Sequence, residues 1–439
     1  MSVSATGLGW PSIIRLGLVQ SAIGAIVVLM TSTLNRIMVV EYGLAATVPA
    51  GLVAWHYAIQ LSRARWGHGS DGGARRTPWI VGGMAVLGVG AVLATVATTR
   101  IAGSPAFGVA LAVVAFALIG VGVGAAGTSL LALLASRVAP ARRPAAAAIT
   151  WIMMIVGFIV TTGIAGKLLD PFSPDRLLAV VAGVVGIAVV VSLIGIAGIE
   201  RRDAQPAATR PAIPFAVALA EIWADPQARR FTVFVAVSML AYSAQELILE
   251  PFAGLLFGFT PGQSTSLAAL QHGGALVGMI AAGVAGNAFT GRAGWMRSWT
   301  IAGCIGSAAA LGVLAFAATA GPAFPLRPTV FALGLANGVF AVAAIGSMMG
   351  LAGGGGPGRE GVRMGVWGAA QAIAFAIGGF VGAAGIDVGR RLFGSTPDAF
   401  VAVFAAEAAV FLVAAVLAAR IDTSVLVRSP RLNPSFAEG

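Results

Sequence analysis

The stretch LLAVVAGVVGIAVVVSLIGIAGI, residues 177–199, runs 23 residues without a charged side chain, and apolar runs of similar length recur along the chain between short polar breaks. A hydrocarbon core of about 30 Å is crossed by about 20 helical residues. Water cannot satisfy the backbone inside that core, so only helices and closed barrels span it. These runs are too long and too continuously apolar for barrel strands of about 10 residues. Composition agrees: 10% of the residues are charged and 58% are hydrophobic, where a water-soluble chain carries about 25% charged residues. The expected fold is an all-α polytopic membrane protein.

Twelve transmembrane helices are expected, over about 14–38, 44–62, 78–99, 106–136, 145–166, 177–199, 231–257, 264–288, 297–319, 328–351, 362–386 and 398–420. Pro78, Pro144 and Pro328 mark helix starts, where a missing N–H costs little. A longer connection opens with ERRDAQPAATRPAIP, ends near DPQARR, and divides the spans six and six. The expected organisation is an N-terminal six-helix half over 1–199, a cytoplasmic linker over 200–230, a C-terminal six-helix half over 231–420 and a cytoplasmic tail over 421–439. In the linker, Phe215, Leu219, Ile222 and Trp223 recur at helical spacing, as either an interfacial helix or a packed linker. With both termini cytoplasmic, about 20 basic residues fall on the cytoplasmic side and about 7 on the other, in the sense of the positive-inside rule. The segment MSVSATGLGWPSIIRLG lacks a basic n-region and a cleavage site, so no removed leader is expected.

The net charge of +11 sits in loops between spans rather than on one soluble face, which argues against nucleic acid as a partner. The lone Cys304 forms no intrachain disulfide, and no Cys/His cluster points to a metal site. Among the 60 glycines, those of GVGVGAAG (Gly120 to Gly127) and those between Gly273 and Gly286 are spaced for close helix packing. No lysine follows at P-loop spacing.

The first span begins about 217 residues before the seventh, and His56 precedes His272 by a similar interval, so the halves read as parallel repeats. Between the second and third spans, the loop RARWGHGSDGGARRTP places Gly67, Asp71, Arg75 and Arg76 where the major facilitator superfamily has its signature G-x-x-x-D-R/K-x-G-R-R/K. Gly72 and Ala74 depart from it. The whole plan resembles that superfamily, whose site lies between the halves near the bilayer midplane. The resemblance implies a cytoplasmic latch, with Asp71 at the start of span eleven around Gly361 to Arg363, where a helix dipole favours negative charge. A solvated topogenic loop is the alternative.

Three longer blocks carry a closer likeness: RLGLVQSAIGAIVVLMTSTLNRIMVVE, WHYAIQLSRARWGHGSDGGARRTPWI and QELILEPFAGLLFGFTPGQSTSLAALQHGG. They resemble the PucC/LhaA family of phototrophic bacteria, a branch of the superfamily that assists bacteriochlorophyll delivery and light-harvesting complex assembly. The first two blocks are closer to the member associated with late bacteriochlorophyll synthesis than to those serving antenna apoproteins. The resemblance implies a multi-pass protein of the bacterial inner (intracytoplasmic) membrane. Its partners would be membrane lipids, (bacterio)chlorophyll or a precursor as cargo, and light-harvesting apoproteins or late pigment-synthesis enzymes such as bacteriochlorophyll synthase. No metal is expected apart from the pigment magnesium.

Ionisable groups inside spans cost about 2.5–3.5 kcal/mol at a helix centre. Glu246 and Glu250 share a face of span seven, with Pro251 following to bend or end the regular helix. By the repeat interval Glu250 falls opposite Asn35 and Arg36, with both pairs toward the non-cytoplasmic end, so an ion pair of Arg36 with Glu246 or Glu250 is expected, as a gate or as a structural tie. Protonation of either glutamate is a third role. Glu407 stands alone in span twelve, protonated or matched with a polar neighbour, and is a candidate contact for another membrane protein. Gln20, Asn35, Gln245, Gln271, Asn337 and Gln371 are candidates to line a central cavity poor in charge, suited to a large amphipathic ligand. His56 and His272 are either helix–helix hydrogen-bonding groups or, as the resemblance implies, ligands to the magnesium of a chlorin.

No Ser-His-Asp set, metal cluster or paired carboxylates around an aqueous cleft is legible, so an enzyme is not expected. The resemblance implies an assembly factor that binds or delivers (bacterio)chlorophyll during biogenesis of photosynthetic pigment–protein complexes. A secondary transporter of a small hydrophobic or amphipathic solute and a non-transporting membrane scaffold are the alternatives.

Overall fold

A computed structural model describes residues 8–60, 75–139, 142–200, 220, 223–288, 295–353 and 360–421. Among them, twelve helices of 14 residues or more follow one another. These are α1 (Trp10–Glu41), α2 (Thr47–Gln60), α3 (Thr77–Ile101), α4 (Pro105–Arg137), α5 (Arg143–Leu168), α6 (Pro174–Ile196), α7 (Pro226–Phe257), α8 (Pro261–Ala288), α9 (Trp295–Ala320), α10 (Leu326–Gly353), α11 (Glu360–Phe393) and α12 (Thr396–Ala419). Ten are long and apolar enough to cross a membrane. Of the other two, α2 has 14 described residues, and α10 is apolar over the shorter Leu326–Val342. The chain is a multi-pass helical membrane protein.

Local chemistry explains many of the boundaries. Proline stands in the first turn of α1, α3, α4, α5, α6, α7 and α12, where its absent N–H is not missed. Ser173, Asp225 and Ser395 accept hydrogen bonds from the first free N–H groups of α6, α7 and α12. The expected linker helix falls mostly outside the described residues, as Phe215, Leu219 and Ile222 do; Trp223 is described and half exposed. Large apolar side chains such as Ile187, Phe316 and Val190 face outward, as a lipid-facing surface requires.

The packing order repeats along the chain. Helix α1 packs on α5 and α6, α2 on α4, and α3 on α4 and α6; six helices later, α7 packs on α11 and α12, α8 on α10, and α9 on α10 and α12. Two buried apolar clusters result, one around Leu16, Leu87 and Phe116, the other around the rings of Phe234, Phe252, Phe340 and Phe404. Between them run two seams, α5 against α8 and α2 against α11.

Small residues set how closely these helices meet. A Cβ on Gly120 would stand 2.8 Å from the His56 carbonyl oxygen, and one on Gly122 would stand 2.5 Å from the Leu87 nitrogen. On α8 and α10, Gly274, Gly278, Gly334 and Gly338 bring backbone directly onto backbone. Gly127, Gly273 and Gly283 meet nothing within 4 Å, so only part of each glycine run serves packing. Gly338→Ala drives its methyl into the Ala275 carbonyl and is expected to lower the thermal midpoint of the purified protein, with the cost of about 1–3 kcal/mol usual for overpacking. Gly183→Ala, on an open surface, is expected to leave the midpoint unchanged or raise it. Equal losses in both variants would contradict the packing account.

Candidate functional site

Pro251 lies inside α7, and the helix continues past it to Phe257, the end expected for the seventh span. Proline has no N–H, so the carbonyl four residues earlier, that of Leu247, loses its partner within the helix. Asn35 of α1 supplies the replacement: its Nδ2 donates to the Leu247 oxygen at 2.5 Å, with Asn35 itself buried. An amide side chain from a neighbouring helix thus lets the proline sit in an unbroken span.

The segment of α1 that carries Asn35 is itself irregular. Two turns of π-helix, Leu29–Thr33 and Ile37–Glu41, flank Leu34–Arg36. Such wide turns recur at functional sites. Here they accompany a run of polar groups facing α7 and α8. The Ser32 hydroxyl donates to Glu250 Oε1, and the Thr33 and Thr265 hydroxyls meet at 3.1 Å. The sequence singled out Glu250 but gave no sign of Ser32, Thr33 or Thr265, because uncharged hydroxyls are common in spans and only their placement distinguishes them.

The expected ion pair of Arg36 with Glu246 or Glu250 is not the one formed. Arg36 Nη1 pairs with Glu41 Oε1, while Nη2 donates to the Phe259 carbonyl in the connection between α7 and α8. The reason is reach. Arg36 is buried, and its long side chain leads the charge toward the helix end, where Glu41 keeps partial contact with solvent. Glu246 instead stands one turn from Tyr242, on the same face of α7. Glu407 is buried, with neither carboxyl oxygen partnered among the described residues.

The two span histidines are held differently. His56 and Gln60 join at 2.7 Å through their Nε2 atoms; an amide NH2 only donates, so the His56 Nε2 lone pair is engaged. His272 Nδ1 lies 2.9 Å from the Ala268 carbonyl, which can only accept. Its Nδ1 therefore carries the proton, and the Nε2 lone pair has no hydrogen-bond partner among the described residues. The ring of Phe158 from α5 stands edge-on to His272 at 4.9 Å. In the other seam, Phe375 of α11 packs between Tyr57 of α2 and Tyr242 of α7, at 5.7 and 5.8 Å.

The six proposed cavity residues are not alike. Gln20 and Gln371 keep partial exposure, and Gln20 Nε2 lies 3.2 Å from the Met154 sulfur. Asn35, Gln245, Gln271 and Asn337 are buried. Asn337 takes a bond from Ser307 at 2.8 Å, between α10 and α9, and its Nδ2 has no partner among the described residues. Gln245 is wholly buried, with neither amide atom partnered among the described residues. Two apolar grooves of about 330 and 420 Å³ lie along α3, lined by residues such as Trp79, Val86 and Val89, away from all six.

A family model described as PUCC protein matches residues 33–425, a stretch that starts in the polar turns of α1 and includes Pro251 and His272. The chain belongs to the PUCC protein family. A Rhodobacter capsulatus relative named "Bacteriochlorophyll synthase 44.5 kDa chain" is 52% identical over 94% of this chain and 95% of its own length. A second protein from that organism, named for the puhA-bchM intergenic region, is 32% identical over 86% of this chain and 80% of its own length. The Protein PucC of Rhodobacter capsulatus is 28% identical over 83% of this chain and 81% of its own length.

The first of these corrects the expectation that the chain is not an enzyme, because that relative bears the name of an enzyme chain. The expectation rested on the lack of acid–base or metal groups around an aqueous cleft. A chain of an enzyme with a lipid-soluble substrate need not carry them there.

Of the signature loop in this PUCC-family protein, Gly67 and Asp71 lie outside the described residues. Arg75 is exposed. Arg76 stands at the start of α3: its guanidinium donates to the Ala132 carbonyl at 2.9 Å, and its N–H, with that of Thr77, is capped by Glu200 at 2.7–3.0 Å. Burial pushes the Glu200 carboxyl up, but the N–H groups of Arg76 and Thr77, the Thr77 hydroxyl and the charge of Arg137 hold it below its usual 4.5. A lowered carboxyl stabilises the fold above its unfolded-state pKa, and the contribution vanishes as pH falls through the folded value. Glu200→Gln is therefore expected to lower the thermal midpoint at pH 7, with the gap to the parent closing as pH falls below about 4.5. A gap independent of pH would refute the capping role.

For Asn35, removal of the amide leaves a buried carbonyl unsatisfied, at a cost of about 1–3 kcal/mol. Asn35→Ala is expected to destabilise the protein by that amount. In the background Pro251→Ala, where residue 251 regains its N–H, the same change is expected to cost much less. Additive losses in this double-mutant cycle would show that the two residues act independently.

Proposed function

We propose that this PUCC-family protein is an integral-membrane component that binds or delivers (bacterio)chlorophyll during biogenesis of photosynthetic pigment–protein complexes, acting with bacteriochlorophyll synthase. The observation that carries this reading is the 52% identity, over nearly the whole of both chains, to a protein named as a bacteriochlorophyll synthase chain. In this reading the twelve helices form two six-helix halves, the repeated packing order being the sign of it. The halves meet along α5/α8 and α2/α11 in the bacterial inner membrane.

Chemistry at the seams supports a ligand of this kind. A chlorin magnesium takes an axial nitrogen, and the lone pair on His272 Nε2 is available while that on His56 is engaged by Gln60. Phe158 and Met154 beside the seam offer ring and thioether surface to an apolar macrocycle. His272 is thus the proposed ligand, and His56 a structural group that fixes α2.

The test is the absorption spectrum of protein purified gently from its native membrane, or after incubation with bacteriochlorophyll. Bound pigment near one per chain is expected. His272→Phe is expected to cut occupancy several-fold and to lose the spectral signature of axial nitrogen ligation, whereas His56→Phe retains both. A colourless protein that binds no added pigment would refute the proposed function; unchanged occupancy in His272→Phe would refute the ligand alone.

A further inference from the structure

Two carboxylates that the sequence did not single out stand at matching places in the two seams. Asp170, just after α5, accepts the Thr260 hydroxyl at 2.8 Å and the Gly262 N–H at 3.3 Å, at the start of α8. Asp387, near the end of α11, accepts the N–H groups of Ala46 and Thr47 at 3.0 and 2.8 Å, at the start of α2. Asp387 follows Asp170 by 217 residues, and Gly262 follows Ala46 by 216. The aromatic residues lower in the same seams, Phe158 and Phe375, are also 217 apart. Each carboxylate therefore meets the free N–H groups and positive dipole end of a helix from the opposite set of six.

We infer that Asp170 and Asp387 are paired latches that hold this one end of the bundle closed. Both recipient groups in the Asp387 seam are backbone, and one of the two in the Asp170 seam is, so the acid side chains are what distinguishes closed from open. Neighbouring contacts converge on the same end. Arg36 grips the Phe259 carbonyl, next in sequence to the Thr260 that binds Asp170, so α1 and α5 clamp the α7–α8 connection from two sides. The left-handed glycines Gly43 and Gly258, with φ of 64° and 66°, end α1 and α7 at that end and turn the chain into the two capped helices.

The two seams are packed differently beside the latches. The α5/α8 seam is built tight: a Cβ on Gly262 would meet the Asp170 carboxyl at 2.5 Å, and one on Gly166 would stand 2.7 Å from the Gly262 oxygen. In the α2/α11 seam, the nearest atom to a Cβ on Gly51 is a Phe380 ring carbon at 3.8 Å. The α2/α11 latch is the one that yields first. Release would open the polar cluster of Ser32, Thr33, Thr265 and Glu250 toward this end of the bundle. The inference rests on the two-halves arrangement of the proposed function, not on the identity of the cargo.

Distances between spin labels test it in the full chain, in lipid nanodiscs. With Cys304 replaced by serine, one label pair sits at Leu168→Cys and Gln263→Cys across the first seam, and another at Ala45→Cys and Arg391→Cys across the second. A single short distance is expected for each pair in the parent. Asp387→Ala is expected to add a longer population to the second pair only, and Asp170→Ala with Asp387→Ala to both. Should the alanine variants not yield monodisperse protein, Asp→Asn at both sites keeps the shape, removes the charge and one acceptor, and is expected to give the same shift to a smaller extent. Unchanged distributions in the double variant, of either kind, overturn the latch. Pigment occupancy is scored separately: pigment bound with unmoved distances sinks the latch alone, and a protein without pigment sinks the cargo reading while the distance comparison stands.

Discussion

Pro251 leaves the Leu247 carbonyl without a partner in its own helix, in surroundings where no water can take its place. The Asn35 amide takes that carbonyl, and α1 is thereby fixed against α7 at one height and one rotation. Much of the polar structure follows from this register. Ser32 reaches Glu250 and Thr33 reaches Thr265 because Asn35 sets which face of α1 looks at α7 and α8. The same rule acts at helix ends, where Glu200 covers the first N–H groups of α3 and Asp170 and Asp387 cover those of α8 and α2. Unpaired backbone groups are costly in lipid, so the places where helices leave one over become the places where helices are joined.

Repetition gives the molecule its second organising feature. An interval of 216 or 217 residues relates His56 to His272, Phe158 to Phe375 and Asp170 to Asp387. The copies have diverged in use. Gln60 engages one histidine, whereas the other keeps a lone pair beside Phe158; Thr260 reinforces one carboxylate cap, whereas the other rests on backbone alone. Positions one interval apart thus share a place in the packing order while differing in their polar contacts.

The ionisable residues show where sequence reasoning stops. Arg36, Glu246, Glu250 and Glu407 were visible as costly groups within spans, but their partners were not. Arg36 turns to Glu41, five residues along its own helix, and to the Phe259 carbonyl beyond the end of α7, because its long side chain leads the charge toward the helix ends, where Glu41 is partly exposed. Glu250 is met by a serine, which carries no charge to betray it. Asp170 and Asp387 lie near span ends, where an acid is unremarkable until the helix it caps is known.

By itself the sequence determined that the chain lives in lipid, that it is helical, and about where most helices begin, since apolar length, proline and capping residues act within a few neighbouring positions. It also showed the near-217-residue interval, because repetition is a property of order alone. Only the tertiary structure decided that a proline and an asparagine 216 residues apart complete one hydrogen bond, which histidine keeps a lone pair, and which helix each carboxylate caps. Such pairings depend on the height and rotation of helices that are remote in the chain, and several alternative pairings would have satisfied the same composition and spacing.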